Sequence, residues 1–142
     1  MANKVYYLAY GSNLNLNQMK YRCPRSRRVG TMMLDDYELE FKLYLNVKKS
    51  KGKKVPIGIW EVDEQDERRL DVYEGYPTFY RKEYIPITIN GEQVEALIYI
   101  MNDVRDVQPP TRIYLETCIQ GYKDFGFDTE FLKQALLNSK AN

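Results

Sequence analysis

The chain has 142 residues, 44% apolar and 29% charged, and its 21 Lys+Arg nearly balance its 20 Asp+Glu for a formal net charge of +1. This is the length of one ordinary domain, residues 1–142, with enough apolar material for a core without disulfides or metal. A near-neutral chain has no general attraction to nucleic acid or anionic membrane, and the lack of any histidine excludes Ser-His-Asp and Cys-His catalysis and every His-ligated metal site.

Val5 to Tyr10 is a continuous apolar, β-rich run and predicts a buried strand. It is too short for a signal-peptide core or a membrane span, so a cytoplasmic location is expected. Gly11-Ser12-Asn13 breaks the strand. Asn15 then caps a short helix to Arg22 with Leu16 and Met19 on one face, and Pro24 ends it. Cys23 and, much later, Cys118 form no CxxC pattern and read as buried thiols in a reducing compartment, a single disulfide being the unforced alternative.

Residues 26–34 and 37–45 predict two strands around Asp35-Asp36, the second alternating through Tyr37, Leu39, Phe41, Leu43 and Leu45. The lysine-rich stretch 48–54 predicts a solvated loop. Val55 to Val62 predicts a strand, and Asp63 is a good N-cap for a helix whose first turn holds Glu64, Asp66 and Glu67. Gly75 is its C-terminal stop, which leaves Glu74 at the helix end.

Asn90-Gly91 joins the runs 79–89 and 92–101 as a hairpin. After Pro109-Pro110, Thr111 caps a helix to about Lys123 with Ile113, Tyr114, Cys118 and Ile119 facing inward. Asp128 caps a last helix bearing Phe131, Leu132, Ala135 and Leu136. Six or seven strands and three or four short helices, with hairpins in the middle, predict an α+β fold built on a mostly antiparallel sheet or small barrel.

Two features bear chemistry. A strand that runs into Gly11-Ser12-Asn13 and then a short helix can aim backbone N–H groups at one anion, although such a loop also serves as a plain capped turn. Glu74 sits at the negative end of a helix dipole among Tyr73, Tyr76 and Phe79. Both dipole and desolvation disfavour its charge and move its pKa toward the range of general acid–base catalysis, although a glutamate at this place is more often a plain exposed helix-end residue. Asp71, one turn earlier, is expected to add to that shift. Most of the 13 tyrosines read as core or sheet residues, and Arg22, Arg25, Arg27 and Arg28 as a solvated cluster. No ligand-spaced set of acids or cysteines suggests a metal.

The segment Tyr10-Gly11-Ser12-Asn13-Leu14 after the first strand resembles the signature loop of the γ-glutamylcyclotransferase-like (AIG2-like) family. Leu70-Asp71-Val72-Tyr73-Glu74-Gly75 followed by Tyr80-Arg81-Lys82 is similar to that family's E-G motif. Pro109-Pro110, Tyr114, Gly121 and Gly126 resemble its C-terminal pattern. The resemblance implies a small mixed β-barrel flanked by helices and a cofactor-free reaction on a small-molecule γ-glutamyl substrate. The substrate α-amine attacks its own γ-carbonyl, releasing 5-oxoproline and an amine or amino acid. It further implies that Glu74 is the proton acceptor and that Tyr10, Gly11, Ser12, Asn13 and Leu14 bind the glutamyl moiety, with Tyr114 as a later binding tyrosine; Tyr80, close behind the E-G pair, is a candidate pocket residue. A regulatory, non-catalytic metabolite-binding module on the same fold is the alternative. The leaving group and the oligomeric state stay open.

Overall fold

In a computed structural model, residues 4–141 are described. Strand β1 (Lys4–Ala9) leads through a single 3-10 turn at Ser12–Leu14 into α1 (Leu16–Arg22). Then follow β2 (Arg27–Lys42), β3 (Tyr44–Asp63), α2 (Glu64–Glu74), β4 (Tyr80–Ile89), β5 (Glu92–Met101), α3 (Arg112–Asp124) and α4 (Glu130–Lys140). The class is α+β, and the strands form one mixed, mostly antiparallel sheet in the order β2-β3-β1-β5-β4. Among the described residues its one parallel pairing between strands joins β1 to β5 at Tyr7 and Leu97. Among the described residues no ladder joins β2 to β4, so the sheet is open at its edges.

Strand β1 is central because it is apolar on both faces. Tyr7, Leu8 and Ala9 are buried, as is the unbroken run Ala96–Met101 of its neighbour β5. These residues join one continuous core with Phe41, Val47, Val55, Ile57, Leu70, Tyr122 and Leu132, each large side chain contributing about 1.5–3 kcal/mol on burial. Among the described residues no helix is long and apolar enough to cross a membrane.

Three helix boundaries follow the expected caps. Asn15 Oδ1 accepts from the Gln18 N–H at 3.1 Å, Asp63 Oδ1 from Asp66 at 2.8 Å, and Thr111 Oγ1 from Tyr114 at 3.3 Å. At α4 the N-cap is Thr129 and not Asp128; Asp128, one residue earlier, accepts with its Oδ1 from the Glu130 N–H at 2.9 Å. Asn90 and Gly91 both take positive φ, 51° and 82°, as a type I′ hairpin turn requires.

Between β1 and α2 the strand count differs from expectation. Asp35-Asp36 is no turn. Asp36 has φ 65° and forms an irregularity inside a single strand β2, where Asp35 pairs with Lys54 and Tyr37 with Lys49. Its carboxylate accepts from the Gly52 N–H at 3.0 Å. The lysine-rich segment is accordingly part of β3, with Lys48, Lys49 and Lys54 paired to β2, residues 50–53 bulging out of the ladder, and its lysine side chains exposed. The reversal sits at Leu43, with φ 70°, between the paired residues Lys42 and Tyr44. Among the described residues five strands result, since two long ones replace the shorter pieces.

Helix α3 faces as expected at Cys118, which is buried, and at Tyr114 and Ile119, which pack against the core, and differs at one position. Ile113 is 78% exposed, and the buried residues are Cys118, Gly121 and Tyr122. Gly121 is what brings α3 against the loop after β1. A Cβ there would lie 2.7 Å from the Asn15 nitrogen and 2.8 Å from the Leu14 carbonyl carbon, both backbone atoms.

Candidate active site

The C-terminal end of β1 opens into a cavity of about 330 Å³, at the small end of the range for ligand sites. Segments distant in sequence meet there: the loop Tyr10–Asn13, the end of α2 at Tyr73–Gly75, and tyrosines from β1, β3, β4, β5 and α3. Tyr10, Gly11, Ser12, Asn13, Glu74, Tyr80 and Tyr114 all line it. Leu14 does not. It is fully buried beneath the loop, where its side chain fills the space that glycine leaves at Gly58 and Gly121.

The loop is held from below. Asn13 Nδ2 donates to the Tyr7 hydroxyl at 2.8 Å, its carbonyl accepts from Trp60 Nε1 at 2.9 Å, and its Oδ1 accepts from Arg22. The Ser12 hydroxyl shares a 2.8 Å hydrogen bond with the Tyr73 hydroxyl. Carbonyls of the turn are used internally, Leu14 N–H donating to Gly11 and Asn15 N–H to Ser12. The N–H groups of Gly11, Ser12 and Asn13 donate to no acceptor among the described residues, as expected at the start of a helical turn. Gly11 has φ −136°, so left-handed backbone is not its reason for being glycine. Space is the reason: a Cβ would sit 3.2 Å from Leu45 Cδ1 and 3.4 Å from the Tyr114 hydroxyl.

Glu74 is presented by the helix stop. Gly75 takes φ 67°, and the Tyr76 N–H donates back to the Asp71 carbonyl at 2.9 Å, the geometry that ends a helix on glycine. Phe79 packs so tightly on Gly75 that a Cβ there would lie 2.6 Å from its ring. The Glu74 carboxyl makes no hydrogen bond or ion pair with any described residue. Desolvation raises its pKa to about 8, opposed by the Arg22 cation.

Asp71 adds nothing to that shift. It turns to the other side of α2, where its carboxylate accepts from the Tyr99 hydroxyl at 2.6 Å and pairs with Lys82 at 3.0 Å.

The tyrosines are scaffold and wall. Tyr10 donates its hydroxyl to the Tyr99 carbonyl at 2.7 Å, while its own carbonyl accepts from the Tyr122 hydroxyl at 3.0 Å. Tyr80 donates to the Leu45 carbonyl at 2.8 Å, and the Leu45 N–H donates to the Tyr114 hydroxyl at 3.1 Å. One residue of β3 therefore positions both. Burial pushes the hydroxyls of Tyr7, Tyr10, Tyr80 and Tyr114 upward, so they stay protonated. Burial likewise raises the unpaired thiols of Cys23 and Cys118 to about 12. Of the groups lining the cavity, Glu74 is the one brought to near-neutral titration.

Arg22 is the functional neighbour that sequence reasoning missed. It lies against the Tyr73 ring, 3.4 Å from its centroid, and donates to Asn13 and to Gln18 Oε1, the latter at 2.7 Å. The end of α1 is fastened beside α2 by the Arg25 N–H, which donates to Asp66 Oδ2 at 3.1 Å. The signal in sequence was its place four residues after Gln18, on the helix that follows the loop. Among the described residues no three His, Cys, Asp or Glu side chains gather as a metal site would need.

Comparison with known proteins agrees with this architecture. The chain is 26% identical over 150 residues to a γ-glutamylcyclotransferase of Bos taurus, covering 94% of this chain and 77% of the relative. A solved structure titled γ-glutamyl cyclotransferase superposes with a TM-score of 0.80 at 21% identity, over 94% of this chain and 86% of that one. An uncharacterized protein from Homo sapiens does so equally, with a TM-score of 0.80 at 22% identity over 93% and 86%. At such identities the structural likeness speaks for the fold alone. The model of the family described as γ-glutamyl cyclotransferase, AIG2-like, matches residues 7–117, a span that includes the loop, Glu74 and Tyr114. The chain belongs to the γ-glutamyl cyclotransferase, AIG2-like family.

Proposed function

We propose that the protein is a γ-glutamyl cyclotransferase with Glu74 as its acid–base group. The observation that supports this most is an unpartnered carboxyl, raised to about 8, in the same cavity as a loop with three unused N–H donors. In the reaction the α-amine nitrogen of a γ-glutamyl group bonds to its own γ-carbonyl carbon, and the bond from that carbon to the departing amine breaks. One proton passes from the attacking nitrogen to Glu74 and then to the leaving nitrogen. No electrons are gained or lost overall, and no protein nucleophile or cofactor is required.

The physical demands match the parts. Ring closure is intramolecular, so fixing the reacting atoms in a near-attack arrangement can supply up to roughly 7–11 kcal/mol. A free α-amine titrates near pH 8, close to Glu74, so the proton moves between groups of similar basicity. The N–H groups of Gly11, Ser12 and Asn13 would hold the glutamyl end or the developing oxyanion. Tyr10, Tyr80 and Tyr114 would wall the pocket and exclude water. The two buried, unpaired thiols accord with a cytoplasmic setting.

The test is to incubate the protein with a panel of γ-glutamyl amines, γ-glutamyl amino acids and glutathione and to measure 5-oxoproline. Release from at least one, lost in Glu74→Gln, is expected. Tight binding of such compounds without any 5-oxoproline would assign the protein as a binding module instead.

A further inference from the structure

We propose that Arg105 determines which half-molecule may leave: it receives a carboxylate on the departing group, so γ-glutamyl-α-amino acids are preferred over neutral γ-glutamyl amines. The inference rests on the cyclotransferase reading above. Arg105 is the one cation among the described residues that line the cavity. Its guanidinium lies over two aromatic rings, 5.5 Å from the Tyr44 centroid and 5.4 Å from the Phe79 centroid.

Both rings stand at the mouth, 41% and 44% exposed, whereas Tyr10, Ser12 and Asn13 are buried at the inner end. Arg22 is the cation that acts on Glu74, and Arg105 is not. Arg105 is therefore placed where the departing group would emerge.

Its donors are unused. Among the described residues Arg105 forms no ion pair and donates no hydrogen bond. The nearby Asp103 carboxylate pairs with Lys42 instead, at 3.6 Å. A guanidinium held over aromatic rings leaves its N–H donors for an anion, and their fork matches a carboxylate in two parallel hydrogen bonds.

The segment bearing it is also fastened to the segments that carry the two rings. The Asn102 N–H donates to the Phe79 carbonyl at 2.9 Å, and the Asn102 side chain donates to Pro77 and Thr78 carbonyls. Further on, the Gln108 N–H donates to the Phe41 carbonyl at 3.0 Å, and its carbonyl accepts from the Leu43 N–H at 3.2 Å. The arginine is thus pre-positioned, and less side-chain freedom is lost on binding an anion.

The experiment compares γ-glutamylalanine with γ-glutamylalaninamide, equal in shape but without the second charge, in wild type, Arg105→Gln and Arg105→Lys. Wild type should favour the acid by about tenfold or more in kcat/KM, the usual scale of a charged hydrogen bond, mainly through KM. Arg105→Gln should bring the acid down to the amide and leave the amide unchanged. Arg105→Lys, which keeps the charge but not the fork, should recover part of the preference. Equal treatment of both compounds by wild type, or an equal loss for both in Arg105→Gln, would overturn the assignment. A parallel calorimetric titration on Glu74→Gln, with and without Arg105→Gln, reads the contact without turnover. If neither compound yields 5-oxoproline while the acid still binds about tenfold tighter only when Arg105 is present, the cyclotransferase reading falls and the anion site stands. If that binding preference is absent, the anion site falls.

Discussion

Arg22 and Tyr73 form a stacked pair, guanidinium carbon 3.4 Å from ring centroid, that joins the helix after the glycine loop to the helix ending at Glu74. The same arginine holds Asn13, and the same tyrosine shares a hydrogen bond with Ser12. Loop and carboxylate are therefore one mechanical unit, coupled at two points.

Glu74→Gln should keep the pocket's shape and remove its proton carrier. Turnover should fall by about 10²–10⁴-fold, the usual weight of a general acid–base group, while the affinity of a non-reactive γ-glutamyl analogue changes little. In wild type kcat/KM should climb with pH and level near about 8, where the carboxyl ionises. A variant that turns over at wild-type rate would remove Glu74 from the mechanism.

The same carboxyl makes stability depend on pH. Its folded pKa is raised to about 8 from an ordinary 4.5, so across that interval the native protein holds a proton that the unfolded chain has lost. Wild-type stability should thus decline as pH rises from about 4.5 to about 8. Glu74→Gln buries no charge and should match wild type near pH 4.5, then exceed it by up to ~4 kcal/mol at pH 8. Urea unfolding of both proteins at the two pH values measures this; a difference that does not change with pH would contradict the burial of Glu74.

Arg22 lowers the Glu74 pKa. Arg22→Met should therefore shift the rising limb of the pH–activity profile to higher pH, and the shift should be absent when the Glu74→Gln background is tested. Because Asn13 loses a partner too, KM should also rise. A profile that stays in place would mean the two groups do not communicate.

Gly11→Val places atoms against Leu45 and the Tyr114 hydroxyl, where a bare Cβ already approaches to 3.2 and 3.4 Å. Analogue binding should be lost while Glu74 and the fold remain, as read by titration and circular dichroism. This is the opposite pattern to Glu74→Gln, and finding the same pattern in both would refute the division of labour between loop and carboxyl.

Gly121→Ala tests the seat of the loop. The new methyl would meet backbone atoms of Leu14 and Asn15 at 2.8 and 2.7 Å, which no side-chain rotation can relieve. A loss of roughly 1–3 kcal/mol in unfolding free energy is expected, the scale of overpacking, together with weaker analogue binding because the loop must shift. Wild-type stability in this variant would show that α3 can move away freely.

Much of this protein is determined locally and could be read from residue order. Caps at Asn15, Asp63 and Thr111, the stop at Gly75 and the Asn90-Gly91 turn depend on neighbours within four residues, and all appear in the structure. The motifs around Gly11 and Glu74 were visible for the same reason. What depends on partners far along the chain was not. Strand β2 runs through Asp35-Asp36 because a bulge and a cross-strand bond to Gly52 absorb the interruption, and the lysine stretch joins β3 because its two ends pair with β2 while its side chains stay in water. Leu14 turned from cavity to core through the close approach of Gly58 and Gly121. Asp71 was drawn away from Glu74 by Tyr99 and Lys82. Arg22 and Arg105 look alike in sequence, as charged residues on helix or loop. Only tertiary packing set one against Tyr73 beneath the loop and the other between Tyr44 and Phe79 at the mouth, because a long cationic side chain goes where distant aromatic faces and anions leave room for it.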